Sequence, residues 1–133
     1  MTEKTLRDYF ENIIQVNLLI VDLRGSQKQE GNDTIYIHIE QIRTGGEYQV
    51  TRQHLLKLCN DCINGILKPI DLNTVAYALI FSDYFTWDRD SKDGEIIAQT
   101  ISDWDNPEIS FPLTIGNIRL WQEYLQTGEY KLS

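Results

Sequence analysis

The sequence predicts an α+β fold in one small domain: an N-terminal helix and a short β section, followed by about four helices. Three observations lead there. A chain of 133 residues has the material for a single core. Apolar residues recur at helical spacing near the start and through most of the second half. Between these regions one short stretch alternates with period two, as a half-buried strand does.

Leu6, Tyr9, Phe10, Ile13 and Ile14 fall at i, i+3, i+4, i+7 and i+8, an amphipathic face that Thr2 or Thr5 can cap. Leu18-Leu19-Ile20-Val21 either extends this helix or forms a buried strand. Arg24 to Asp33 carries Gly25, Ser26, Gly31 and Asn32 and reads as a polar loop. Ile35, Ile37 and Ile39 alternate with Tyr36, His38 and Glu40, the pattern of a strand. Thr44-Gly45-Gly46-Glu47 then makes a turn, with Tyr48-Gln49-Val50 as the return strand.

Beyond Thr51 the period becomes helical. Thr51 can cap a helix bearing Leu55, Leu56, Leu58, Cys59, Cys62 and Ile63, with Gly65 near its end. Pro69 breaks the chain, and Asp71 or Asn73 can start a second helix with Val75, Ala76, Leu79, Ile80 and Tyr84 inward. Asp88 to Asp93 reads as a charged loop. Asp93 can cap a third helix whose Ile96, Ile97, Ile101 and Trp104 face inward, and Asn106-Pro107 stops it. Thr114 opens a last helix with Ile115, Ile118, Leu120, Trp121, Tyr124 and Leu125, closed by Gly128.

The balance of charge narrows the functional classes. A formal net charge of −8 and a pI near 4.6 argue against non-specific nucleic-acid binding, which needs clustered Lys and Arg. Acids in excess suit basic proteins, metal ions or solubility. The N-terminus lacks a basic segment leading into an apolar one, and the longest apolar run, Leu18 to Val21, cannot span a membrane. The expected location is the cytoplasm.

Three motifs resemble known chemistry and fall short of it. Cys59-Asn60-Asp61-Cys62 is a C-x-x-C inside a predicted helix, whereas redox pairs sit at a helix N-terminus, where the dipole lowers the thiol pKa. Zinc would need His38 and His54 as well. Two small buried side chains on one helical face is the better account. Read as an EF-hand from Asp88, the chain places Lys92, Asp93 and Gln99 where the pattern requires a carboxylate, Gly and Glu. The carboxylate pair Asp103 and Asp105 flanks Trp104 with no nucleophile or base in any recognised motif. No enzyme, metal or cofactor is implied.

What stands out is the run from Asp83 to Glu108. Its eight acids (Asp83, Asp88, Asp90, Asp93, Glu95, Asp103, Asp105, Glu108) face only Arg89 and Lys92, so six of the chain's eight net negative charges lie here. Carboxylates beside aromatics hold basic partners, because the charges steer and the rings anchor. Trp104 and Trp121 fit buried helical faces; Trp87, in a loop between acids, is the candidate for an exposed anchor, with Tyr77 and Tyr84 as possible neighbours. The candidate partner-binding residues are Asp83, Trp87, Asp88, Asp90, Asp93 and Glu95, with Asp103 and Asp105 next.

The stretch A-Y-A-L-I-F-S-D-Y-F-T-W-D, with I-S-D-W-D-N-P-E-I-S-F-P-L-T and L-W-Q-E-Y-L-Q-T-G-E, resembles small bacterial immunity proteins of contact-dependent and other polymorphic toxin systems. The resemblance covers residues 50 to 130. It implies a compact, acidic, cytoplasmic, non-enzymatic protein that binds a cognate toxin domain, often a basic nuclease, and covers its active site or substrate cleft. A phage-type acidic inhibitor that mimics nucleic acid is the alternative, disfavoured because the acids are concentrated in one stretch. A small metal-dependent enzyme or regulator is the third reading.

Overall fold

The computed structural model describes every residue except 31–33, 38 and 44, and describes residues 26–30 and 34–37 by their backbone alone. Among the described residues there are six α-helices and four short strands, an α+β fold. They form two compact units, Met1–Gly46 and Glu47–Ser133.

In the first unit, α1 (Glu3–Phe10) is capped by Thr2, whose Oγ1 accepts from Thr5 N at 3.1 Å. Leu6, Tyr9 and Phe10 are buried as their spacing predicts. Ile13 and Ile14 do not continue the face. Asn12 takes a left-handed φ of 59°, the helix ends, and Ile13 is 68% exposed. Leu18 to Val21 lies within a second helix, α2 (Val16–Ser26), which buries Leu19 and Leu23 at i, i+4 and leaves Leu18 and Val21 exposed. Asp22 accepts from Thr2 N at 2.7 Å, joining α2 to the start of α1.

The predicted polar loop is largely ordered structure. Arg24 to Ser26 finishes α2, and β1 (Gln27–Glu30) pairs antiparallel with β2 (Thr34–Ile37), Gln27 opposite Ile37. The backbone pairing with β2 overrides the weak strand propensity of Gln-Lys-Gln-Glu. The last three residues of that predicted loop, Gly31, Asn32 and Asp33, lie outside the described residues, as do His38 and Thr44. Ile39 is not in a strand, and Glu40 bridges to Thr2 in parallel.

Gly45 and Gly46 sit at φ +83° and +85°, consistent with a glycine turn. The return strand is not a hairpin partner of the Ile35 strand. Instead β3 (Tyr48–Gln49) pairs in parallel with β4 (Phe85–Thr86), through Tyr48 N to Tyr84 O and Val50 N to Thr86 O, both 2.8 Å. Parallel pairing needs a long crossover, which the two intervening helices supply.

Those helices are α3 (Arg52–Ile63) and α4 (Pro69–Ile80). Thr51 caps α3 in a reciprocal box: Thr51 Oγ1 accepts from His54 N, and His54 Nδ1 accepts from Thr51 N at 3.0 Å. α4 starts at Pro69 itself, where a missing N–H costs nothing, and Asp71 accepts from Lys68 N at 2.9 Å. Tyr84 lies past the end of α4. α5 (Lys92–Asp105) is capped by Ser91 rather than Asp93, and α6 (Ile115–Thr127) runs from its Thr114 cap to Gly128 at φ 83°. α3 packs on α6 and α4 on α5. Trp104 and Trp121, both fully buried, meet edge to face with centroids 6.3 Å apart. No helix among the described residues is long and apolar enough to cross a membrane.

Candidate functional site

The acidic run begins where α4 stops. Ser82 Oγ accepts from Tyr84 N at 3.0 Å and Phe85 N at 2.9 Å, fixing the turn into β4. After Trp87 the chain folds on itself. Asp88 Oδ1 accepts from Asp90 N at 3.0 Å, and Asp88 O accepts from Ser91 N and Ser91 Oγ. Ser91 Oγ in turn accepts from Gly94 N at 2.9 Å and starts α5. Gly94 is buried because the Asp88 carbonyl occupies the place of a Cβ. The loop is therefore held at both ends by short polar contacts.

On this frame Asp83, Asp88, Asp90, Asp93 and Glu95 are all exposed. Asp93 also pairs with Arg52, Nη1 to Oδ1 at 3.0 Å, and Arg52 Nε donates to Leu125 O at 2.6 Å. Acids in the first turn complement the α5 dipole. Trp87 is half-buried and Arg89 lies over its ring at 5.4 Å, so the expected anchor is partly covered by its own chain.

Asp103 does not join this surface. It is 3% exposed and accepts three hydrogen bonds: from Gln99 Nε2 at 2.9 Å, Trp121 Nε1 at 3.0 Å and Tyr130 OH at 2.6 Å. Ile96, Thr100 and Asp103 recur at i, i+4 and i+7 on the buried face of α5, which explains its burial. Asp105 is half-buried and its carboxyl is pushed up by burial; its backbone carbonyl accepts from Asn73 Nδ2 at 3.1 Å. Both residues thus belong to the α4–α5–α6 framework.

The fold also assembles what sequence reading missed. Tyr48 stacks with His54 at 5.5 Å and with Tyr84 at 6.1 Å, bringing three half-exposed rings from β3, α3 and the turn before β4 into one row. The capping role of His54 was the available signal, a His standing where Glu or Gln completes the usual box. Tyr77 of α4 packs against Phe81, the residue just past that helix, with ring centroids 4.8 Å apart.

Cys59 and Cys62 are free, buried and unactivated. Burial pushes both thiols up, Cys62 to about 12 with Asp71 and Asp61 adding to the effect. Among the described residues no group of three or more His, Cys, Asp or Glu could hold a metal ion. Burial also raises the phenol of Tyr130, as does its bond to Asp103. Each of these folded-state values lies above the ordinary one. Their stabilising contribution is therefore complete below the ordinary thiol value of 9.0 and is lost as pH rises toward the raised values. Thermal melts should show stability falling above about pH 9, with neither thiol reactive toward a disulfide reagent in the folded protein at pH 8. Rapid labelling of the native thiols at that pH would contradict the burial.

No family model, curated protein or solved structure matches this chain.

Proposed function

We propose that this is a cytoplasmic immunity protein that binds and neutralises a basic, nuclease-type toxin domain through the acidic face formed by residues 83–95. The observation that carries the reading is the placement of Asp83, Asp88, Asp90, Asp93 and Glu95. All five are exposed, on a loop and helix start pinned by the Ser82, Asp88 and Ser91 contacts. A nuclease cleft is positive because its substrate is negative, so a fixed acidic patch competes for it and accelerates encounter. Fixing the loop before binding reduces the ordering cost that association would otherwise incur. The row of Tyr48, His54 and Tyr84 extends the surface with aromatic area of the kind found at binding hot spots. The resemblance of residues 50 to 130 to immunity proteins points the same way.

The test separates charge from scaffold. Asp88 and Asp93 hold the loop and Arg52, so Asp83→Asn, Asp90→Asn and Glu95→Gln are the substitutions that remove charge while leaving those contacts intact. Capture from the source cell's lysate should yield a basic nuclease-type domain, and co-expression should protect cells from it. The triple variant should then associate roughly tenfold more slowly at low salt, with a shallower salt dependence. Capture of no basic domain, or a triple variant with unchanged rate and salt slope, would remove this surface from the mechanism.

A further inference from the structure

The box that starts α3 is completed by a side chain whose charge changes near neutral pH. His54 Nδ1 accepts from Thr51 N at 3.0 Å, and a backbone N–H can only donate, so Nδ1 carries no proton. In the neutral ring the proton then sits on Nε2, which faces the Tyr48 hydroxyl at 3.4 Å. The imidazole is thus held at one edge by the cap and along its face by the Tyr48 ring, 5.5 Å away and inclined by 29°. A Gln in this place would accept at any pH. His accepts at Nδ1 only while it is neutral.

Adding a proton reverses the contact. Nδ1–H then points at Thr51 N–H, donor against donor, and a positive charge appears in the first turn of α3, where the helix dipole is also positive. Freed at that edge, the ring can turn away from Tyr48. The path to the strands is short, because Thr51 directly follows Val50, whose N–H donates to Thr86 O beside the β3–β4 pair. Charged groups on the adjoining elements do not cancel this. Glu47, ahead of Tyr48, and Asp83, ahead of Tyr84, are exposed and favour the cation only through water, screened over about 8 Å. Asp93 of α5 is held by Arg52, Glu123 of α6 by Lys131, and on α3 itself Asp61 acts on Lys57. Stacking on Tyr48 also favours a cation, but only with the ring kept where Thr51 N–H opposes it. We propose that His54 is a proton-operated latch on the aromatic row: neutral, it caps α3 and positions Tyr48; protonated, it releases both. The latch belongs to the free protein. Its consequence for binding, a row assembled at neutral pH and loosened in acid, rests on the function proposed above. The stability added by the cap is complete above the ordinary imidazole value of about 6.5 and is lost as pH falls below it.

The experiment compares the parent with His54→Gln and His54→Ala between pH 7.5 and pH 5. The chain has one other histidine, His38, so the imidazole signal missing from both variants is that of His54. Long-range nitrogen–proton spectra at pH 7.5 should show its Nδ1 bare and its Nε2 protonated. On acidification of the parent, the Thr51 amide and Tyr48 ring resonances should move in step with the His54 imidazole. In His54→Gln they should stay fixed, because Gln keeps an acceptor that does not titrate. Over the same range the Tm of the parent should fall by roughly 3–5 °C more than that of His54→Gln. His54→Ala lacks the acceptor and should show that loss at both pH values. Asp105, whose carboxyl is pushed up by burial, titrates alike in all three proteins, so the difference between them isolates His54. A proton on Nδ1 at pH 7.5, a His54 titration that leaves Thr51 and Tyr48 unmoved, or equal pH dependence in the parent and His54→Gln would overturn the proposal.

Discussion

Asp103→Ala is expected to lose about 3 kcal/mol of stability, because it strips three donors of one acceptor and leaves one of them buried. Trp121 is fully buried, so its Nε1 has no water to turn to once the carboxylate is gone. Tyr130 is 39% exposed and Gln99 is exposed, so their polar groups can reach solvent and the cost concentrates on Trp121. The change should appear as a fall in Tm of roughly 10 °C. Asp103→Asn keeps one acceptor but turns an N–H₂ group toward at least one donor, and should cost about half as much. Tyr130→Phe removes one bond at the edge of the network and should cost about 1 kcal/mol. This order, Ala worst and Phe mildest, is specific to a buried carboxylate shared by three donors. A partner-binding Asp103 would give the opposite pattern, normal melting and weakened association. Equal Tm for Asp103→Ala and the parent would refute the network.

Asp103 also marks the limit of what a sequence discloses. Its place on the inner face of α5 was legible, since it continues the helical row from Ile96 and Thr100. Its charge nevertheless grouped it with exposed acids, because its partners Trp121 and Tyr130 lie 18 and 27 residues further along the chain. Local signals read correctly where a local interaction decides, as at the Thr51, Thr114 and Gly128 caps. They misplaced the start of α5 because Ser91 and Asp93 are both good caps, and the contact of Asp88 O with Ser91 decides between them. Pairing choices were the least legible. Nothing in Tyr48-Gln49 says that its partner is Phe85-Thr86 across two helices, or that Gln27 to Glu30 would be held as a strand by Thr34 to Ile37. For the same reason the acid count of residues 83–95 could be read from sequence, whereas the aromatic row from Tyr48, His54 and Tyr84 could not. The row exists only because β3 and β4 lie side by side.

Gly94→Ala sets two principles against each other. Gly94 lies in the first turn of α5, where alanine would be favoured by up to about 1 kcal/mol on helix propensity alone. The space is already taken, however: a Cβ at Gly94 would overlap the backbone carbonyl of Asp88 and press on Ser91 Oγ at 3.0 Å. Backbone cannot swing aside as a side-chain tip does. To admit the methyl group the 88–91 turn must lift, breaking the bonds from Ser91 N at 3.3 Å and Ser91 Oγ at 2.9 Å to Asp88 O. Overpacking of this kind costs about 1–3 kcal/mol, and the lost contacts add to it. The expected net result is destabilisation by about 2 kcal/mol, read as a lower Tm. Gly116→Ala is the internal control. It stands in the first turn of α6, where a Cβ would meet only Thr114 Oγ1 at an ordinary 3.9 Å, so it should be neutral or stabilising by up to about 1 kcal/mol. The functional consequence follows from the same geometry. Lifting the turn moves Asp88 and Asp90 together, so Gly94→Ala should weaken partner binding without removing a single charge. A variant that melts early yet binds at the parent rate would show that the position of the acids matters less than their number, leaving net charge alone as the source of the steering.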